Sequence, residues 1–185
     1  MTGMTQQPEN AIPRRLRTAR LEIVPGTAGL GRAEMGDRAA FAALLGADVP
    51  DSWPPPENDE HTMRFFTEYV ESHPDRVGWA AWYILRCGED GRKTAVGTCG
   101  FKGGPDGDGT VETGYSILVE HQRRGYAPEA VAALVDWAFG DPGVSRVIAH
   151  TFPDLRPSIR VLEKCGFNPA GPGEEQGTIR FERRK

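Results

Sequence analysis

ETGYSILVEHQRRGYAPEAVA, residues 112–132, changes its period halfway along. The alternating run from about Thr110 to Val119 reads as a strand. A short basic loop follows, His121 to Ala127. From Pro128 the apolar residues Val131, Leu134, Val135, Ala138 and Phe139 recur at helical spacing. Strand, small-residue loop and helix start together make an anion site. The first N–H groups of a helix have no intrahelical partner and lie at the positive end of its dipole. Successive loop N–H groups can form a nest around phosphate. Gly125 permits a positive φ and Ala127 leaves room for close approach of a ligand. Pro128 suits a first helical turn, where its missing N–H costs nothing. Arg123 and Arg124 add positive charge.

C-terminal to this block, Asp141-Pro-Gly143 closes the long helix. Val144–Phe152 is a strand, Asp154–Cys165 a helix that Asp154 could cap, and TIRFER, Thr178–Arg183, a last strand. On the N-terminal side, Gly78–Arg86 and Thr94–Phe101 form a hairpin around Glu89-Asp90-Gly91. Trp79, Ala81, Tyr83 and Leu85 are expected on one face of it, Trp82 and Ile84 on the other. The loop Lys102–Gly109 contains Asp106 and Asp108 but lacks the ligand ladder of a calcium loop, so no metal site is expected. Further upstream, Asn58 or Asp59 starts a helix with the stripe Thr62, Phe65, Phe66, Tyr69, Val70, ended by His73-Pro74. The segment Val49–Pro56 is too proline-rich for helix or central strand; its Trp53 is a packing anchor or a pocket wall. Thr27 caps a short helix to about Met35, and Asp37 caps a second, Arg38–Leu45, stopped by Gly46. Arg20–Val24 is a first strand. Residues 1–17 are polar and read as a flexible tail, leaving 18–185 as a single domain. Early hairpins followed by strand–helix–strand–helix–strand give an α/β fold, a mixed and mostly antiparallel sheet flanked by helices.

The chain has 185 residues, enough for one core, and a net charge of −4 that offers no case for nucleic acid as a partner. No apolar run reaches the roughly 20 residues of a membrane span, and the N-terminus has no apolar signal core. The three cysteines, Cys87, Cys99 and Cys165, show no paired spacing and read as reduced thiols of a cytoplasmic protein.

Gln122-Arg123-Arg124-Gly125-Tyr126-Ala127 resembles the Q/R-x-x-G-x-G/A signature of the GNAT superfamily of acyl-CoA N-acyltransferases. SIRVLEKCGF, Ser158–Phe167, is similar to the same superfamily's S-x-x-x-L-E-K-x-G-F ending. The wording of both, with Glu112-Thr-Gly-Tyr-Ser116 ahead of the loop, resembles the RimJ/RimL-like branch. The resemblance covers roughly Arg20 to Arg183. It implies acetyl-CoA as cofactor and a primary amine, on a small molecule or a protein N-terminus, as acceptor. It implies that the fourth and fifth strands of the family, here Thr110–Val119 and Val144–Phe152, splay to admit the pantetheine arm. The pyrophosphate would lie on Gln122, Arg123, Arg124, Gly125, Tyr126 and Ala127, and the thioester end along Ile117, Leu118 and Val119.

Direct attack in a ternary complex needs a proton acceptor and a donor to the thioester oxygen. Related enzymes use a glutamate on the central strand, so Glu112 is the candidate base or water-positioning group, on the face of Ser116 if alternation holds; the alternative is a structural or substrate-orienting carboxylate. A backbone N–H near Leu118 would be the oxyanion donor. Ser158 matches the family serine that contacts pantetheine and is a candidate acid; alternatively its hydroxyl caps its own helix. Two positions depart from the family: Leu155 stands where an asparagine is usual, and Leu162 where many members carry a tyrosine acid. These departures motivate an alternative, a non-catalytic acyl-CoA-binding sensor or regulatory module. His121 reads as a loop-flanking surface imidazole and His150 as a packed or hydrogen-bonded one. The acceptor pocket is expected from Thr27–His73 and the loop Lys102–Gly109, which carry no readable specificity code. An exposed last strand could pair across a homodimer.

Overall fold

A computed structural model describes residues 12–185. The strands are β1 (Leu16–Arg17), β2 (Leu21–Pro25), β3 (Ala81–Cys87), β4 (Lys93–Phe101), β5 (Thr110–Ile117), β6 (Arg146–Thr151), β7 (Asn168–Pro172) and β8 (Ile179–Arg184). The helices are α1 (Ala28–Gly36), α2 (Arg38–Leu45), α3 (Glu60–Ser72), α4 (Tyr126–Phe139) and α5 (Arg156–Lys164). One eight-stranded sheet runs β1-β2-β3-β4-β5-β6-β8-β7. Every neighbouring pair is antiparallel except β5–β6, which is parallel. This is the mixed, mostly antiparallel α/β architecture expected from the sequence.

Local chemistry sets the first three helices. The Thr27 hydroxyl accepts from Leu30 N, Asp37 from Ala39 N and Ala40 N, and Asp59 from Thr62 N. Gly46 closes α2 in the left-handed region. Each cap satisfies donors that a helix start leaves orphaned. α1 and α3 touch at Gly31, where a Cβ would lie 2.1 Å from the Thr67 hydroxyl, so only glycine permits that approach. The inward stripe of α3 is Met63, Phe66, Thr67 and Val70, lining a cleft against α1 and the sheet. Phe65, expected in that stripe, is exposed.

Two apolar clusters cover the two faces of the sheet. On one, α4 and α5 pack over Trp82, Ile84, Val96, Phe101, Val111 and Ile117. On the other, α1 and α2 bring Leu30, Phe41 and Leu45 onto Val24, Tyr83, Leu85 and Ala95. Trp79 departs from the hairpin alternation. It precedes β3 and joins the first cluster, 4.8 Å ring to ring from Trp137 and 5.3 Å from Phe101. The buried indole of Trp82 donates to Gly78 O at 2.7 Å, so its polar edge is satisfied.

Several elements differ from the sequence reading. The expected tail lies outside the described residues over 1–11, while Leu16–Arg17 form β1 on β2. Helix α4 begins at Tyr126, two residues before Pro128, and α5 begins at Arg156 behind Leu155, with no side-chain cap from Asp154. The strand β7, NPAGP, was not expected. It places β8 inside the sheet, so the last strand offers no free edge for pairing with a second copy. Among the described residues no helix is long and apolar enough to cross a membrane.

Candidate active site

The basic loop has the backbone shape of a cradle. Gly125 has φ 81° and Arg123, a non-glycine, φ 59°. A left-handed arginine costs backbone energy that its surroundings must offset, as is common where a loop is built to bind. No side chain caps α4, so the N–H groups of Tyr126 and Ala127 remain available to a ligand. Arg123 and Arg124 are exposed beside them. Two residues have other duties. Gln122 donates through Nε2 to Ile117 O at 3.0 Å, tying the loop to the end of β5. The Tyr126 ring is buried under the Arg20 guanidinium at 5.0 Å. Arg20 also donates to Arg124 O at 2.9 Å and pairs with Glu129 at 2.7 Å, bracing the loop from outside.

From the cradle, a gap runs into the sheet. β5 and β6 are in register only at Thr110↔Arg146, Val111↔Val147 and Glu112↔Ile148. Beyond Glu112, β5 pairs only with β4, and beyond Ile148, β6 pairs only with β8. The two strands have separated as expected. In an antiparallel pair successive residues turn their backbone groups alternately to one neighbour and to the other side. Lys102 N donates to Glu112 O and Leu118 N to Val96 O, which fixes the phase. Glu112, Gly114 and Ser116 therefore address β4, while Thr113, Tyr115 and Ile117 address the gap. Leu118, expected as the oxyanion donor, has its N–H engaged at 2.9 Å. Val119 starts a single 3-10 turn at the mouth of the gap and its side chain is exposed.

Ser158 lies in the first turn of α5 and does not cap it. Its Oγ is 3.0 Å from the Tyr115 hydroxyl, which also donates to Ser158 O at 3.1 Å. Burial pushes the Tyr115 phenol up to about 12. Tyr115 was visible in the motif but given no role; its partner lies 43 residues on. The structure places a phenol beside the serine although Leu162 is in the core. None of the cysteines makes a second nucleophile here: burial pushes the Cys99 thiol far up and the Cys165 thiol to about 11, and Cys87 is exposed on the far end of β3.

Glu112 sits where the strands part, on the face of Ser116. Lys102 Nζ lies 2.5 Å and His150 Nδ1 3.1 Å from its Oε1. The other ring nitrogen of His150, Nε2, is buried with no partner among the described residues. His121, on the loop side, also has a buried, unpartnered Nδ1. Burial, then Arg124 and Arg86, hold its imidazole below the usual range despite Glu120.

The same face carries a narrow cleft between α1, α3 and the hairpin β3–β4, with a cavity volume of about 20 Å³. Its walls include Met63, Phe66, Tyr83 and Thr98, and its charged residue is Glu34. Glu34 Oε1 accepts from Trp53 Nε1 at 2.9 Å and Asn58 Nδ2 at 3.3 Å; Oε2 accepts from the Tyr83 hydroxyl at 2.7 Å. Burial pushes its carboxyl above the usual range, and the three hydrogen bonds reverse that only in part. Trp53 is a packing anchor on Phe41 and Tyr83, reaching the cleft only through Glu34. The proline segment continues over the sheet, where the Ser116 hydroxyl donates to Pro56 O. Glu34 was not singled out in the sequence. The loop Lys102–Gly109 enters the site through Lys102, while Asp106 is used to close a turn onto Asp108 N and Thr110 N.

Comparison with known proteins bears on this arrangement. The family model described as Acetyltransferase (GNAT) domain matches residues 30–168. The chain is 33% identical over 123 residues to the uncharacterized N-acetyltransferase YjdG of Bacillus subtilis (strain 168), covering 66% of this chain and 71% of that one. Among solved structures, a putative ribosomal-protein-serine acetyltransferase from Vibrio cholerae superposes with TM-score 0.62 at 18% identity, covering 94% of this chain and 99% of that one. The microcin C7 self-immunity acetyltransferase MccE, solved with acetyl-CoA and AMP, superposes with TM-score 0.60 at 11% identity over 91% of this chain and 94% of that one.

Proposed function

Because the chain belongs to the acetyltransferase (GNAT) family, an N-acetyltransferase family that binds acetyl-CoA, we propose that it transfers an acetyl group to a primary amine by direct attack within a ternary complex. The observation that carries the reading is the uncapped start of α4 behind left-handed Gly125, at the mouth of the gap between β5 and β6. Bound acetyl-CoA supplies an activated thioester. The N–H groups of Tyr126 and Ala127, with Arg123 and Arg124, hold its pyrophosphate. The gap-facing backbone of Thr113 and Tyr115 pairs with the amides of its arm as an added strand would. With Leu118 engaged elsewhere, Ile117 N–H is the donor to the thioester oxygen.

On the acceptor face, Glu112, whose Oε1 is flanked by Lys102 and His150, takes the ammonium proton, directly or through a water. On the opposite face, Tyr115 and Ser158 meet the sulfur. Burial holds the Tyr115 phenol well above the usual tyrosine range, which disfavours giving up its proton. Tyr115 therefore steadies the sulfur by hydrogen bonding rather than delivering its proton.

The test is thermal unfolding with acetyl-CoA, CoA, ATP and NAD, followed by thiol release with amines. A ligand at about 100 times its dissociation constant adds roughly 2.7 kcal/mol, a rise of several degrees. A rise with acetyl-CoA and CoA only, abolished in Gly125→Glu, supports the site; an equal rise in that variant removes the loop from it. Glu112→Gln lowers turnover and flattens its pH dependence with CoA affinity kept; an unaltered profile removes Glu112 from proton handling.

A further inference from the structure

We infer that Glu34 is the floor of a second acceptor subsite that takes a protonated amine head, so that the preferred acceptor is a cation bearing one amine to be acetylated and another positive group some distance away. The inference rests on the acyltransferase reading of the same face and adds to it the class of substrate.

Three observations meet at this residue. Glu34 is drawn out of water, yet its partners Trp53 Nε1, Asn58 Nδ2 and Tyr83 Oη are all neutral, and no lysine, arginine or histidine among the described residues contacts it. A partly buried anion without a countercharge is costly, and an uncharged amide could hold the same loop. A carboxylate offers about four acceptor positions; side chains fill three, leaving one on Oε2. The cavity beside it, about 20 Å³, has room for one group the size of water or ammonium. Its walls put the rings of Tyr83 and Phe66 next to that space, surfaces that attract a cation.

Register fixes where this subsite lies relative to the chemistry. Tyr83 is the partner of Thr98 on β4, and Thr98 the partner of Ser116 on β5, next to Ile117. Tyr83 is thus two strand spacings, roughly 10 Å, from the strand that lines the thioester end. An amine at Glu34 is too distant to be the nucleophile. It is the handle of an acceptor whose other end reaches the gap.

The experiment compares kcat/KM for CoA release with octylamine against diaminobutane, diaminohexane and diaminooctane, in the native protein and in Glu34→Gln. At the best length the diamine is favoured at least tenfold by the native protein, and the ratio falls toward one in Glu34→Gln. The same ratio in both proteins, or no diamine preference at any length, overturns the inference. A second measurement reads the subsite without turnover: carbon NMR titration of the Glu34 carboxyl in the native protein, with and without diaminooctane. The carboxyl titrates above the usual glutamate range alone and moves down with the diamine; a titration curve that the diamine does not move overturns the subsite. Failure of the acyltransferase reading looks different, as silence with every amine while the NMR titration still responds.

Discussion

Glu22 and Glu34 are both carboxylates withdrawn from water, and the fold treats them in opposite ways. Glu22, on β2, is 2% exposed. It receives Arg15 Nη1 at 2.6 Å and Lys93 Nζ at 2.9 Å, with Arg17 at 3.5 Å. Burial pushes its carboxyl up, but the hydrogen bonds and charges of Arg15 and Lys93 outweigh that and hold it below the usual range. Glu34 has as many donors but no cation, and is held above that range. An anion matched by its own chain's cations is committed to structure: it joins β1, β2 and β4. An anion held only by neutral dipoles keeps its charge for something that comes from outside.

The largest test of this contrast is Glu22→Gln. It leaves Arg15 and Lys93 facing an amide and should cost about 3 kcal/mol, the low end for breaking a buried pair because both cations are partly solvated. At 2–4 °C per kcal/mol that is a fall in Tm of roughly 6–12 °C. The pH dependence has a definite sign. With its folded value depressed, Glu22 contributes stability above the unfolded value and loses it as pH falls through the folded one; the variant lacks that acid limb.

The same substitution at Glu34 should move stability by no more than about 1 kcal/mol, since no ion pair is broken. Here the folded value is raised, so native stability declines as pH climbs from the usual glutamate range through the raised value, and Glu34→Gln flattens that decline. A loss equal to that of Glu22→Gln would erase the distinction. Tyr83→Phe removes one donor to Oε2, costs about 1 kcal/mol, and drives the Glu34 carboxyl further up. A downward move in the NMR titration would mean that the phenol was not supporting the anion. Arg17→Ala should be smallest, below about 0.5 kcal/mol, because that guanidinium is largely solvated. A larger loss in chemical denaturation would mean that Glu22 depends on Arg17 as well.

What could be read in the sequence was what is decided locally. Thr27, Asp37, Asp59 and Gly46 end or begin helices through bonds within four residues, and each was recognisable. The left-handed turn at Gly125 was legible in the loop's own residues, and the parting of two strands followed from the family resemblance. The start of α4 was misplaced because Pro128 marks a first turn without fixing which of its positions it takes; it stands third. NPAGP concealed β7 because its prolines and glycine argue against a strand, and only an edge position tolerates them. The Leu118 donor failed on backbone phase, which depends on register with β4. Glu34 had no local sign at all. Its partners lie 19, 24 and 49 residues away, so only the folded chain brings that carboxyl together with its donors.

The parting of β5 from β6 has a consequence for how the sheet resists wear. A strand in the middle of a sheet ordinarily has both rims saturated, yet β5 leaves the backbone of Thr113 and Tyr115 without a strand partner on one side in the centre of the molecule, and only Gln122 reaches Ile117 O there. Such a rim is a template for any extended chain, with the hazard of self-association that free edges bring. The chain keeps that rim sunk between its two half-sheets, with α4 starting at one end and the Tyr115–Ser158 contact to α5 on one side. A thin flexible arm has less to clear than a peptide with side chains. An extended polypeptide would have to carry its side chains in between the two half-sheets to reach that rim.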